Sequence, residues 1–327
     1  MRAALIALML MIGSQVGAGC GDLCDEGWWK TAPDAELQAL LAAGADVMAR
    51  TEEGYTPLHK AAIHGTPAKI KALLAAGADI MARNESGQAP LHSAGEFGGT
   101  LANIQALIAA GADVMAQSKS GSTPLRNAAG FYGTPAKIKA LLAAGADVMA
   151  RDEHGSTPLH WAARSDNPAK MRVLLEAGAD ATAKTNGMHF TPLFSAAASG
   201  NALNIQALIA AGADVMARGG LSSITPLHVA AGWEGSAACI KALVAAGADV
   251  MDRASNGNTA LHQAVYNPDD RTDVTGIVQA LLAAGADAKA KNRDGETPWD
   301  LAQELAQRKD EFKSSKAYWA LNDAQYN

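Results

Sequence analysis

The chain has 327 residues, of which 49% are hydrophobic and 18% charged. Its formal net charge of −6 and pI near 5.7 argue against a nucleic-acid binder, which carries a basic face. No apolar run is long enough to span a bilayer.

Residues 1–19 read as a signal peptide. Arg2 is a short basic start, Ala3 to Ile12 is an apolar stretch, and Val16 and Ala18 have the spacing of a signal-peptidase site. Export to the periplasm or the medium is therefore expected; a buried N-terminal helix is the alternative. Gly17-Ala18-Gly19-Cys20 also resembles a lipoprotein signal, which would put a lipid anchor on Cys20, although Gly17 stands where Leu is usual. Cys20 and Cys24 follow the cleavage point, and in an oxidising compartment a mutual disulfide is the first reading. CxxxC is not a usual zinc or redox spacing, and no second pair completes a metal site.

From residue 20 onward one pattern repeats. A Thr-Pro-Leu-His start, or a variant of it, falls at Thr56, Ala89, Thr123, Thr157, Thr191, Thr225, Thr259 and Thr297, with gaps of 33, 34, 34, 34, 34, 34 and 38 residues. A Gly-Ala-Asp ending keeps step, with its glycine at 44, 77, 111, 145, 178, 212, 247 and 285. Such a period marks a solenoid and overrides the length prior of two domains. In one unit, Thr56 caps a helix with Pro57 at its first position. Leu58, Ala61 and Ala62 form its apolar face. Gly65 ends it, and Thr66-Pro67 starts a second helix whose Ile70, Leu73 and Leu74 share a face. Gly77 is placed as a left-handed cap, and a turn-rich link leads to the next unit. Helices this short are not stable alone, so the units must stack.

The TPLH-x-A-A starts, the LL-x-x-GAD endings and the period near 33 resemble the ankyrin repeat over about 25–327. The resemblance implies an all-α solenoid of helix–turn–helix units with short hairpin or turn connections. Residues 20–50, with Trp28 and Trp29, read as an N-terminal capping repeat, 51–291 as seven repeats, and 292–327 as a C-terminal capping repeat. The cap's second helix is expected around Glu311 to Asp323, with Phe312, Tyr318, Trp319 and Leu321 closing the stack. The seventh repeat carries an acidic insertion, Asn267 to Asp273, either a binding loop or a tolerated surface insertion.

The chemistry-bearing residues look structural. His59, His92, His160, His228 and His262 hold the TPLH position, where the resemblance implies hydrogen bonds within and between repeats. One per repeat cannot easily converge on a metal. Arg126, Phe194 and Asp300 replace this histidine, so those interfaces must be satisfied otherwise. The Gly-Ala-Asp carboxylates form a regular row in near-identical surroundings, unlike a catalytic pair. No G-x-S-x-G, P-loop or H-E-x-x-H is present, so no enzyme, metal site or cofactor is expected. Cys239 aligns with Lys69 on what reads as the solvent side of the second helix.

Two departures stand out. Where ankyrin repeats usually carry Asn, two residues after the Asp, this chain has Met48, Met81, Met115, Met149, Met216 and Met251, with Thr182 and Lys289 as exceptions. These methionines are either duplicated packing under each hairpin or a polarizable contact surface. They are also oxidisable outside the cell. Eight residues after each repeat start, at what the resemblance makes a ligand-facing position, the series reads His64, Phe97, Phe131, Ser165, Ser199, Trp233 and Asn267. With Tyr55, Tyr132 and Trp161, the rings of this series form a candidate partner-binding set; packing between loops is the alternative. The expectation is an exported, non-catalytic scaffold that binds another protein across the concave face of the array. A receptor for a small or polymeric ligand such as a glycan is the alternative.

Overall fold

The computed structural model describes residues 21–233, 235–266, 274–308, 312 and 315–326. The chain falls into two compact units, one ending at Ser120 and the other beginning at Gly121. The described residues are helices and turns, with a single isolated bridge between Gly219 and Ile224.

In the first unit, α1 (Glu26–Thr31) and α2 (Asp34–Ala42) precede two full pairs, α3 (Pro57–His64) with α4 (Pro67–Ala75) and α5 (Pro90–Glu96) with α6 (Leu101–Ala109). The second unit continues with α7 (Pro124–Ala129) and α8 (Pro135–Ala143), then α9 (Pro158–Ala163) and α10 (Pro168–Glu176). Next come α11 (Pro192–Ala198) and α12 (Ala202–Ala210), then α13 (Pro226–Gly232) and α14 (Ala237–Ala245). It ends with α15 (Ala260–Tyr266), α16 (Val274–Ala283), α17 (Pro298–Arg308) and α18 (Lys316–Ala324). Within each unit, first helices pack on first helices of the next repeat and second helices on second helices.

The helix limits follow from local chemistry. Thr66 Oγ1 accepts the Lys69 N–H at 3.2 Å, and Pro67 takes the first helical position, where a missing N–H has no partner to lose. At the other end the Ala78 N–H reaches Leu73 O and the Gly77 N–H reaches Leu74 O, both at 3.0 Å. That double closure needs the left-handed backbone that Gly77 adopts at φ 93°. Leu58, Ala61, Ala62, Ile70 and Leu73 are fully buried. At the N-terminal end Trp29 is 1% exposed, and its indole N–H donates to Leu23 O at 2.9 Å.

The TPLH histidines are latches. The Thr56 N–H donates to His59 Nδ1 at 3.2 Å, which leaves the proton on Nε2, and Nε2 donates to Gln88 O at 2.9 Å. The same latch joins His160 to Phe190 O, His228 to Asn258 O and His262 to Glu296 O, each at 3.1 Å. Each carbonyl belongs to the residue just before the next repeat's start. The three replacements are satisfied by other means. Asp300 Oδ2 accepts the Thr297 N–H at 2.8 Å, as an imidazole would. Phe194 is buried and stacks on Phe190 at 4.9 Å. The Arg126 guanidinium lies 3.7 Å from the centre of the Trp161 ring.

Cys239 corrects the sequence expectation. It is fully buried, not on a solvent face. At the third position of their second helices, Lys69, Asn103, Lys170 and Asn204 lean over the end of the preceding repeat's first helix and are buried too, and Lys137 at the same position is likewise buried. Lys69 Nζ donates to Trp29 O at 3.3 Å and Ala32 O at 2.7 Å. Asn103 Nδ2 donates to Ala61 O, Ala62 O and Gly65 O at 3.0–3.4 Å. Asn204 Nδ2 donates to Ala163 O at 3.0 Å and Ser165 O at 2.8 Å. These carbonyls lie at the ends of short helices, and all but Ala61 O, which also accepts the Gly65 N–H at 2.9 Å, are left over by the helix ladder.

The last described helix begins at Lys316, where Ser315 caps it and accepts the Tyr318 N–H at 3.2 Å; Glu311 lies outside the described residues. Phe312, Tyr318 and Leu321 are buried as expected, but Trp319 is 53% exposed.

The histidine latches imply a pH dependence. Burial pushes the His59 imidazole down to about 4 and depresses His160, His228 and His262 in the same direction. A native state that holds neutral histidines has their full contribution above the ordinary value near 6.5. It loses that contribution as pH falls from there toward about 4, because only the unfolded chain binds the protons. Thermal melts from pH 7.5 to pH 4 are expected to fall steadily below about pH 6.5, with His59 alone contributing on the order of 3 kcal/mol across the window. A flat melting midpoint over that range would contradict the latch.

Candidate partner-binding surface

In the six repeats that start at Thr56, Ala89, Thr123, Thr157, Thr191 and Thr225, the loops joining first to second helices come in two lengths. From cap to cap the spacing is ten residues for Thr56 to Thr66, Thr157 to Asn167 and Thr191 to Asn201. It is eleven for Ala89 to Thr100, Thr123 to Thr134 and Thr225 to Ser236. The three longer loops are the ones that carry Phe97, Phe131 and Trp233. Each ends in a glycine pressed on its own first helix. A Cβ would stand 2.7 Å from Ala94 Cα at Gly99, 1.7 Å from Ala128 O at Gly133, and 1.7 Å from Ala230 O at Gly235. No side chain fits there, so glycine lets the loop base dock while the ring at its tip turns outward. Phe131 is 63% exposed, Tyr132 71% and Trp233 45%.

The loop of Phe131 and Tyr132 is also held from the next repeat. Lys170 is 1% exposed, and its ammonium donates to Gly130 O and, at 3.0 Å, to Phe131 O. Burial lowers its pKa, opposed by Asp166. Beside it, Trp161 is half-buried with Arg126 stacked on its ring and Arg164 at 6.0 Å from the ring centre. Its indole nitrogen is buried with no hydrogen-bond partner.

In the first unit, Tyr55 is half-buried, edge-on to His59 at 5.6 Å, with Lys60 Nζ 5.1 Å from its ring centre. Burial raises its pKa. His64 is half-buried with Nε2 3.4 Å from Glu26, which also pairs with Lys30 at 2.6 Å. Burial lowers the His64 pKa although Glu26 raises it. Phe97 is half-buried. Of the candidate ring residues, Tyr55, His64 and Phe97 thus lie in the first unit, and Phe131, Tyr132, Trp161 and Trp233 in the second.

Elsewhere the polar rows close turns. Each Gly-Ala-Asp carboxylate whose turn is described accepts the N–H two residues on, from Asp46 to Met48 through Asp287 to Lys289, at 2.8–2.9 Å. Four methionine sulfurs accept the N–H of the next repeat's Asp. These pairs are Met48 with Asp79 and Met149 with Asp180 at 3.3 Å, Met216 with Asp249 at 3.4 Å, and Met251 with Asp287 at 3.2 Å. Arginines two residues after them clamp adjacent hairpins. Arg50 Nη1 reaches Gly54 O at 3.2 Å and Arg83 O at 2.6 Å, and Arg253 Nη1 reaches Gly257 O at 3.0 Å and Lys291 O at 2.6 Å.

Cys24 is disulfide-bonded; Cys20 and the Asn267–Asp273 insertion lie outside the described residues. Among the described residues no three His, Cys, Asp or Glu side chains are placed to hold a metal, and no helix is long and apolar enough to cross a membrane.

A family model of ankyrin repeats in three copies matches residues 33–118, 96–185, 125–219 and 193–292. Among solved structures, the chain is similar to the crystal structure of the human ASB11 ankyrin repeat domain. That match has a TM-score of 0.60 and 29% identity, and covers 70% of this chain and 98% of that one. No curated protein matches.

The Lys170 clamp is testable. Lys170→Met keeps the apolar stem and removes the donors, so two part-buried carbonyls lose their partner, at about 1 kcal/mol or more. A lower melt and faster proteolysis within 130–133 are expected. Arg172→Met, at a side chain 72% exposed, serves as the control, with an effect within about 0.5 kcal/mol. Equal behaviour of the two variants would remove Lys170 from the account of the loop.

Proposed function

The chain belongs to the ankyrin-repeat family, and from that premise we propose that it is an exported, non-catalytic scaffold that binds another protein through its first-helix face and loop tips. One observation carries the reading. Phe131 and Tyr132 are the most exposed rings of the candidate set, yet they sit on a loop held by Gly133 at its base and Lys170 from behind. Exposed aromatic side chains on a fixed backbone bind with little ordering cost. Trp233 repeats the arrangement over Gly235. Trp161, stacked under Arg126, supports the surface from beneath and offers only part of its ring.

Export is supported by the basic, apolar and small-residue order of residues 1–19. N-terminal sequencing and intact mass of the exported protein are expected to find cleavage near Ala18 or Gly19, and a Cys20–Cys24 disulfide in unreduced protein. A diacylated Cys20 would replace the disulfide by a lipid anchor, and an intact Met1 would overturn export.

For binding, the full mature chain is immobilised and exposed to envelope extract, and captured material is identified by mass spectrometry. Against that partner, Phe131→Ala, Tyr132→Ala and Trp233→Ala are each expected to cost at least about 2 kcal/mol, roughly thirtyfold in affinity, with the melt unchanged. Leu73→Ala should instead lose about 2–5 kcal/mol of stability through a cavity. Ring variants that melt early, or that bind like wild type, would show the rings to be packing. Capture of a polysaccharide in place of a protein would favour the glycan alternative.

A further inference from the structure

The methionine row is left over from this function. Met48, Met149, Met216 and Met251 each direct a thioether sulfur at the backbone N–H of the Asp that opens the next repeat's turn, at 3.2–3.4 Å. The same Asp carboxylate closes its own turn by accepting the N–H two residues later. The sulfur is thus a link from one turn to the next, beside the arginine clamp on the same pair of hairpins. All four methionines are part-exposed, whereas Met171 in the core is fully buried.

We propose that these four methionines are oxidation-sensitive fasteners between repeats, the modification being sulfoxide formation by a peroxide. A sulfur lone pair attacks one peroxide oxygen, the O–O bond breaks, and water leaves. The sulfur loses two electrons and the peroxide gains them. The product breaks the contact for two reasons. The lone pair that received the N–H is consumed or faces a positively polarised sulfur. The new acceptor oxygen stands a bond length beyond the sulfur, where a contact of 3.2–3.4 Å leaves no room for it. The turn at each Asp then loosens, while the arginine clamps and the helical core stay in place, because contacts in an array are between nearest neighbours. The row is broken where Thr182 and Lys289 replace methionine, so the links at those positions are inert to peroxide.

The full chain is treated with hydrogen peroxide, and sulfoxide is located by peptide mass mapping. Met188, at 44% exposure, is the reactive reference and Met171 the protected one. The four fasteners are expected to oxidise after Met188 and before Met171. Amide exchange at Asp79, Asp180, Asp249 and Asp287 is then expected to rise roughly tenfold, the size of one lost backbone hydrogen bond. Replacing all four by leucine keeps the volume and removes the chemistry, so its exchange at those amides should start high and ignore peroxide. If that variant does not fold, Met149→Leu read at Asp180 alone decides the point. Sulfoxide at the four positions with unchanged exchange at the four Asp amides would overturn the proposal. So would resistance of the four sulfurs equal to that of Met171, or a peroxide response in the leucine variant.

Discussion

Short helices cannot satisfy their own ends, and the rest of the structure follows from that constraint. α7 and α9 have six residues each, and an α-helix leaves its last four carbonyls without internal partners. The repeats deal with this by reaching into one another. Lys69, Asn103, Lys170 and Asn204 on second helices reach back to the preceding repeat, and His59, His160, His228 and His262 reach forward to the next start. Cutting one repeat away would strand buried polar groups on its neighbour as well as expose its apolar face, so polar and apolar cohesion act in the same direction.

The backward reach uses two chemistries with different costs. Lysine brings three donors and no acceptor, and must bury an amine, which lowers the pKa of Lys170. Asparagine brings no charge but adds an acceptor, and Asn103 Oδ1 and Asn204 Oδ1 are buried with no partner. An unpaired buried acceptor costs about 1–3 kcal/mol, comparable to the burden of burying the amine. Either residue therefore serves, which accounts for their alternation along the chain. Cys239 supplies neither; its sulfur only receives the Ser236 hydroxyl at 3.3 Å.

Much of the fold was legible because Pro, Gly and Thr act through geometry that any context preserves. Pro57 and Gly77 mark helix limits by what their backbones permit, and φ at Gly77 bears this out. Lys69 was not legible, because a helical charge reads as solvent-facing, and only the packing of two repeats shows the carbonyls it serves. The methionine row was legible as a row but not as a set of acceptors, since a thioether ranks low among acceptors and only the spacing of adjacent turns brings an N–H to it. The eleven-residue loops were in the sequence all along, as one extra residue between two caps. That signal pairs Phe97, Phe131 and Trp233 more sharply than ring character alone, which also selected Tyr55 and His64, both half-buried against neighbours.

The departures from the repeat pattern are not scattered. Arg126 replaces a latch histidine in the repeat whose loop displays Phe131 and Tyr132, and its guanidinium stacks on Trp161 of the repeat that supplies Lys170. A histidine there would have joined the two repeats through one carbonyl bond. The Arg–Trp stack joins them through a broad polarizable contact that remains part-exposed at its edge. The same pair of repeats has therefore given up a buried latch and gained an Arg–Trp stack, and it also carries the two exposed rings Phe131 and Tyr132. Local breaks with an otherwise regular pattern mark places where something other than stability is being served. The coincidence of a replaced latch, a lengthened loop and a clamping lysine in two neighbouring repeats is why the proposed binding face is centred on this stretch of the second unit.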